Sequence, residues 1–515
     1  MNSITHHNQT LEQSEEFESA KKVPSHKHWR GLTQDIDREH SFEPLTIEGK
    51  LPNDINGTLY QNGTGLFASH DTKYGHIFDA DGLVRGIRIQ NGKAYGAAKL
   101  VQSEGLQAEN NAGRMLFSGI GTDLQGWRAK LRRLNLVRQR KVPLKNTANT
   151  SVLMWQERLF ALMEASLPTE LDPNTLDTIG ESTLNNAVLG AFSAHPHWVS
   201  ERACGYSFGI NPSGQNTFLD IYELPKTGQC KNIARAKLSW RPFGYVHDFI
   251  ATPKHLIFFI PPMHLPTKNL LKFMTGSALY PLMDWKAELG TEVIIVPIDH
   301  PEKVTRFITE PFFPIHFANA YEQGDEIIVD YTHSPDTFLY DQLGSLHLGF
   351  SDKYYRGKFE NRKKDTGVLR RARIDINSTA IDFDVVWPEY CEFPKINPSL
   401  QGSKNTFVYM VQSPSDAPIR APIFTQIVKL NLETGQSSTL QLDDEQIPSE
   451  ALFIRKQNAK EEDAGYLLSM VYDGHQHKSY LAIIDAQDIE AGPVAKLHLD
   501  QALPLSFHGM WCPSK

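Results

Sequence analysis

A chain of 515 residues with 40% apolar and 22% charged side chains can bury a large core, either as several domains or as one big closed architecture. The formal net charge of −8 excludes the broad basic field that nucleic-acid binding requires. Four cysteines, Cys204, Cys230, Cys391 and Cys512, lack C-x-x-C spacing; this excludes a thiolate zinc site and a disulfide framework and favours a reducing, cytoplasmic setting.

Residues 1–40 are polar and charged, with too few large apolar residues to pack, and read as a mobile tail without a secretory signal. From 41 to 515 the chain reads as a single domain. Short apolar or alternating runs recur between turn residues. Val84–Gln90 and Lys93–Val101 flank Asn91-Gly92, a strong two-residue hairpin signal. Ser151–Trp155 and Arg158–Glu164 flank Gln156-Glu157, and Gln426–Leu432 meets Ser437–Leu442 through Glu433-Thr434-Gly435. Evenly spaced strands with few helical periods predict an all-β fold. Radial repetition suits this length, and roughly 65 residues per four-stranded blade gives a seven-bladed β-propeller.

Two cap insertions interrupt the strands, at about 103–145 and 262–290. In the first, Leu124, Trp127, Leu131 and Leu134 share one helical face, and seven Lys or Arg lie between Arg128 and Lys141. A basic amphipathic helix of this kind fits either a membrane interface or the propeller rim. In the second, Thr267–Trp285 is rich in Leu, Met and Phe and fits either a buried crossover or an adaptable lip where an apolar substrate enters. No run reaches the ~18 apolar residues of a membrane span, so the expectation is a chain that is soluble or at most peripheral on a membrane surface.

Four histidines sit in similar apolar contexts: His195 in FSAHPHW, His247 in FGYVHDF, His316 in FFPIHFANAYE and His508 in LSFHGMW. They are 52, 69 and 192 residues apart, which is about one, one and three blades. Side chains in phase with the repeat converge on the axis, and four converging imidazoles make a metal site for Zn, Cu, Fe or Ni. Such ligands need acceptors on their other ring nitrogen. Glu164 in FALMEASLP, Glu392 in YCEFPKINP and Glu450 in IPSEALFI are candidates, because each is a carboxylate in an apolar run. Taken singly, each also reads as an ordinary strand-end acid.

These stretches resemble the carotenoid cleavage oxygenases, a family that includes stilbene-cleaving dioxygenases and the retinal pigment epithelium isomerase. LPNDINGTLYQNGTGLF and HIFDADGLVRGIRI are similar to the family's opening "GTLYRNGP" and "FDGDGM" segments. KNTANTSVLMWQERLFALMEASLP is similar to its "NTANT…LALWE…P" block. AHPH, VHDF, IHFANAYE and FHGMW resemble its four histidine motifs, and EFPKINP its late acidic motif. Gln61 and Thr64 stand where Arg and Pro are usual, Ala80 for Gly, and Ala451 follows Glu450 where Pro is common.

The resemblance implies iron(II) on His195, His247, His316 and His508, with Glu164, Glu392 and Glu450 orienting three of the rings. It places Thr150 beside an open coordination position. It also implies a propeller whose helical or loop cap covers an apolar tunnel, with Phe243, Tyr245, Phe312, Phe313 and Phe507 as candidate walls. The expected activity is oxidative cleavage, with O₂, of a conjugated C=C bond of a carotenoid or apocarotenoid to two carbonyl products. The alternatives are a stilbene-cleaving dioxygenase, for which Lys99 or Tyr95 would grip a phenol, and a propeller that binds without catalysis. A monomer or weak oligomer is expected.

Overall fold

Asn91 and Gly92 have φ of 51° and 71°, the conformation a type I′ hairpin demands, and they join strands Asp81–Gln90 and Lys93–Leu100. Gln156 and Glu157 adopt the same conformation, with φ of 51° and 65°, between Ser151–Trp155 and Arg158–Leu162. Repeated along the chain, such hairpins build, among the described residues, seven antiparallel sheets of four to six strands, with two short two-stranded sheets beside them. The computed structural model describes residues 30–138, 144–213, 216–238, 244–345, 365–413, 424–443 and 445–514.

The sheets are the blades of a seven-bladed β-propeller. Blade 1 joins the two ends of the chain, since the C-terminal strand Ser506–Pro513 pairs with Gly57–Leu66. A second seam lies in blade 7, where Thr46–Gly49 pairs with Pro493–His498. These seams close the ring of blades, and radial repetition leaves each blade only a short, protected outer edge. Ser151–Trp155, His197–Val199, Ile250–Ala251, Phe313–Gln323, Cys391–Lys395, Leu452–Arg455 and Ser506–Pro513 touch their counterparts in neighbouring blades and ring the axis.

Alternating strand residues fill the space between blades. Phe208 of blade 3 meets Phe249 and Phe258 of blade 4, and Phe249 stacks on Phe258 with centroids 5.0 Å apart. Each such side chain contributes about 1.5–3 kcal/mol when fully buried, so the rigidity of the inner ring comes from these interblade layers.

Helix α1 (Glu104–Ala112) is capped by Ser103 at its start and by Gly113, with φ of 62°, at its end. Helix α2 (Trp127–Arg138) shares the first insertion with it, and α3 (Thr267–Met274) lies in the second. A further helix, α4 (Phe338–Ser345), was not expected from the sequence. Helix α2 turns its face opposite to ordinary packing: Trp127 is 67% and Leu131 57% exposed, while Arg133 is buried. Of the expected tail, residues 30–40 are described; Gly31, Leu32 and His40 are buried, Leu32 against Ile447 and Tyr472. Among the described residues no helix is long and apolar enough to cross a membrane.

Candidate metal centre

The inner strands deform where the site lies. Strand Phe313–Gln323 slips register between Pro314 and Phe317, around His316. Strand Ser506–Pro513 slips opposite Gln61 and Gly63, at Phe507 and His508. Cys391–Lys395 slips after Glu392, and Phe393 there has φ of 53°. A bulge breaks the in-out alternation of a strand and re-aims one side chain; here the re-aimed groups are two imidazoles and a carboxylate. His195 and His247 precede the short inner strands of blades 3 and 4.

The four histidines meet on the axis. Ring centroids of His195 lie 4.5, 5.4 and 4.6 Å from those of His247, His316 and His508. One nitrogen of each ring lies within 4.8 Å of all the others, and Nε2 of His247 is 3.1 Å from Nε2 of His316. Nitrogens held at about 2.1 Å from a shared ion stand roughly 3.0 Å apart when at right angles. Nε2 of His195 is buried without a hydrogen-bond partner. A neutral, all-nitrogen donor set with lone pairs facing one point fits a first-row divalent metal.

The opposite ring nitrogens face carboxylates. Nδ1 of His247 donates to Glu164, Nδ1 of His316 to Glu392 at 2.5 Å, and Nδ1 of His508 to Glu450 at 2.9 Å. That fixes the tautomer in which Nε2 is the free base. Burial and the neighbouring imidazoles push His195 well below the usual histidine range. Burial takes His508 down to about 4 although Glu450 opposes it. For Glu450, burial raises the carboxyl, but Lys395 and His508 outweigh it and hold it at about 2. Neutral rings at His195 and His508 beside ionised Glu392 and Glu450 are the protonation states that metal ligation needs. At His247 burial lowers the ring, but the Glu164 carboxylate outweighs it and raises it above the usual histidine value.

Thr150 opens the inner strand of blade 2 and reaches the same cavity as His247, His316 and His508. Its loop is pinned by asparagines: Asn62 donates to the carbonyls of Ala148 and Ser151, and Asn149 to those of Phe78 and Ala80. This gives physical content to the NTANT run. Two apolar chambers meet here, of about 90 and 220 Å³. Phe78, Ile120, Thr147, Met163 and Glu164 belong to both walls. The inner chamber is lined by His247, His316 and His508; the outer one runs to Phe273 of α3, Leu279 and Met283.

Among the candidate walls, Tyr245, Phe313 and Phe507 line a chamber. Phe312 instead lies in an interblade layer, and Phe243 falls outside the described residues. Lys99 pairs with Asp177, and neither Lys99 nor Tyr95 lines a chamber, so no phenol grip forms there. Sequence reading missed several groups. Tyr340 of α4 hydrogen-bonds to Tyr245, whose hydroxyl donates to Glu164 at 3.3 Å. Thr332 donates to Glu392 at 2.8 Å. Asp248 receives His197 at 2.8 Å and the Phe317 N–H at 3.2 Å, which ties blades 3, 4 and 5 together. The acid after His247 was a visible signal for the last of these; the others join residues far apart in sequence.

Residues 33–513 match the family model described as RPE65, retinal pigment epithelial membrane protein. The chain belongs to the carotenoid cleavage oxygenase family. It is 30% identical over 500 residues to the apocarotenoid-15,15'-oxygenase of Synechocystis sp., covering 94% of this chain and 96% of that protein. It is 28% identical over 504 residues to carotenoid 9,10(9',10')-cleavage dioxygenase 1 of Arabidopsis thaliana, covering 92% and 87%. The crystal structure of cobalt-substituted Synechocystis ACO superposes with a TM-score of 0.82 at 27% identity, over 95% of this chain and 99% of that one. The family is enzymatic.

Proposed function

We propose that this member of the family is an iron(II)-dependent dioxygenase that cleaves a conjugated C=C bond of an apocarotenoid or carotenoid. Carrying this reading is the convergence of four imidazoles, three of them on the wall of an apolar two-chambered tunnel. His195, His247, His316 and His508 would hold the metal, and Glu164, Glu392 and Glu450 would orient three of the rings. When bound, iron(II) supplies O₂ activation without an organic cofactor. The overall change is balanced without a reductant: one C=C and one O₂ become two C=O groups.

The protein's own part is placement. Chambers on both sides of the shared wall suit a rod-like polyene threaded past the histidines, with its scissile bond beside Thr150. Fixing the bond there accounts for rate by proximity, and the apolar walls keep water from the reacting carbons. No acidic or basic side chain is required to move a proton.

Helix α2 supports peripheral membrane association. Trp127 and Leu131 face outward, Leu271 of α3 is also exposed, and Arg128 and Lys130 flank them. A lipid-borne polyene would pass from this surface past Phe273 into the outer chamber.

Aerobic incubation of the iron-loaded protein with apocarotenals, carotenes and hydroxystilbenes, followed by mass analysis, tests the reading. The expected result is paired aldehydes from a polyene, with one atom of ¹⁸O₂ in each. Cleavage of stilbenes alone would refute it.

A further inference from the structure

The three carboxylates that accept from imidazoles are not equivalent. Lys395, at the end of the inner strand of blade 6, reaches into blade 7 and places Nζ 2.8 Å from Oε1 of Glu450. That same oxygen accepts from Nδ1 of His508 at 2.9 Å. The other two are met by neutral donors: the Thr332 hydroxyl and the Phe393 N–H on Glu392, and the Tyr245 hydroxyl on Glu164. Asp248, nearby, has its own partner in His197. Among the described residues, then, Glu450 alone of the three carries a Lys or Arg ion pair.

Charge counting gives this asymmetry a meaning. Three carboxylates and one divalent ion sum to −1, and Lys395 brings the assembly to zero. Glu450 is fully buried, so the pair is weakly screened on the carboxylate side. We propose that Lys395 is a charge-balancing residue that weakens electron donation through Glu450 and His508 and so keeps bound iron ferrous in air. A cation two hydrogen bonds from the metal opposes the gain of a further positive charge there. An O₂-using site needs such protection, because one-electron oxidation of a bound ferrous ion by O₂, itself reduced to superoxide, would end activity. Neutral Thr and Tyr donors orient a carboxylate equally well but supply no such opposition.

This inference rests on the metal assignment proposed above. The test uses the full chain loaded anaerobically with iron(II), as wild type, Lys395→Met, Lys395→Gln and Lys395→Arg. Two quantities are read without substrate: the midpoint potential, and the rate at which ferrous iron disappears in air. Met and Gln variants are expected to show a lower potential and several-fold faster ferrous loss, with the Arg variant close to wild type. Unchanged potential and rate in both neutral variants would overturn the proposal. So would a Gln variant that behaves as wild type while Met does not, since contact rather than charge would then matter. Failure of both neutral variants to hold iron anaerobically, with Arg still loaded, also overturns it, because Lys395 would then build the site instead of tuning it. Wild type that takes up no iron would instead sink the metal assignment itself.

Discussion

At the scale of single residues, the carboxylates behind the imidazoles decide whether four rings become a site. Glu392 is buried and accepts from His316, Thr332 and the Phe393 N–H. Replacing it with Gln keeps the shape, removes the charge and leaves a donor facing a donor. Metal affinity, measured by chelator competition, should fall about 10- to 100-fold, with little change in the unfolding midpoint of the metal-free protein. A different histidine reports on the fold. His333 is buried beside Arg370, and burial, aided by that guanidinium, lowers its pKa from 6.5 to about 3. Below pH 6.5 the unfolded chain takes up a proton that the folded chain refuses until about pH 3. Stability is therefore full above that window and falls, as pH drops through it, by about 1.4 kcal/mol per unit from this group. Denaturant titrations at pH 7 and pH 5 should show that loss, and His333→Gln should reduce it.

At the scale of elements, the loop Asn146–Thr150 sets the position of Thr150, and helix α2 presents Trp127 and Leu131 outward. Gly82 donates to the Thr147 carbonyl at 2.8 Å, and a Cβ there would stand 2.2 Å from the Ala148 carbonyl oxygen. The glycine of FDADGL is thus a packing requirement that seats the Thr150 loop. Gly82→Ala should cost about 1–3 kcal/mol in denaturant melts and lower turnover further by displacing Thr150. For α2, Trp127→Asp with Leu131→Asp should weaken binding to phospholipid vesicles while leaving iron content and cleavage of detergent-dispersed substrate intact. Equal vesicle binding by both proteins would remove the membrane role. What was legible here followed the period: hairpins announced by Asn-Gly, and a helix announced by Trp127 and Leu131. Which way the helix faced was not legible, because an apolar stripe does not say whether protein or lipid covers it. Nor was α4, since Phe338–Ser345 has no sustained stripe and meets the inner chamber through Tyr340 and Leu343.

At the scale of the whole molecule, radial repetition does the assembling. Blades of similar length return the chain to the axis, so His195, His247, His316 and His508 become neighbours although they lie 52, 69 and 192 residues apart in sequence. Their regular spacing is why the site could be read before any fold was in hand. Lys395 with Glu450, and Tyr245 with Tyr340, could not, because each pair spans blades at spacings unrelated to the repeat. The most direct measurement is iron X-ray absorption on the anaerobically loaded chain, with iron analysis of the four single His→Ala variants. One iron per chain, scattering from imidazole nitrogens and lost or weakened in every variant, is the predicted result. Carboxylate oxygen from Glu164, Glu392 or Glu450 bound to the iron, or undiminished iron in His247→Ala and His316→Ala, would contradict it.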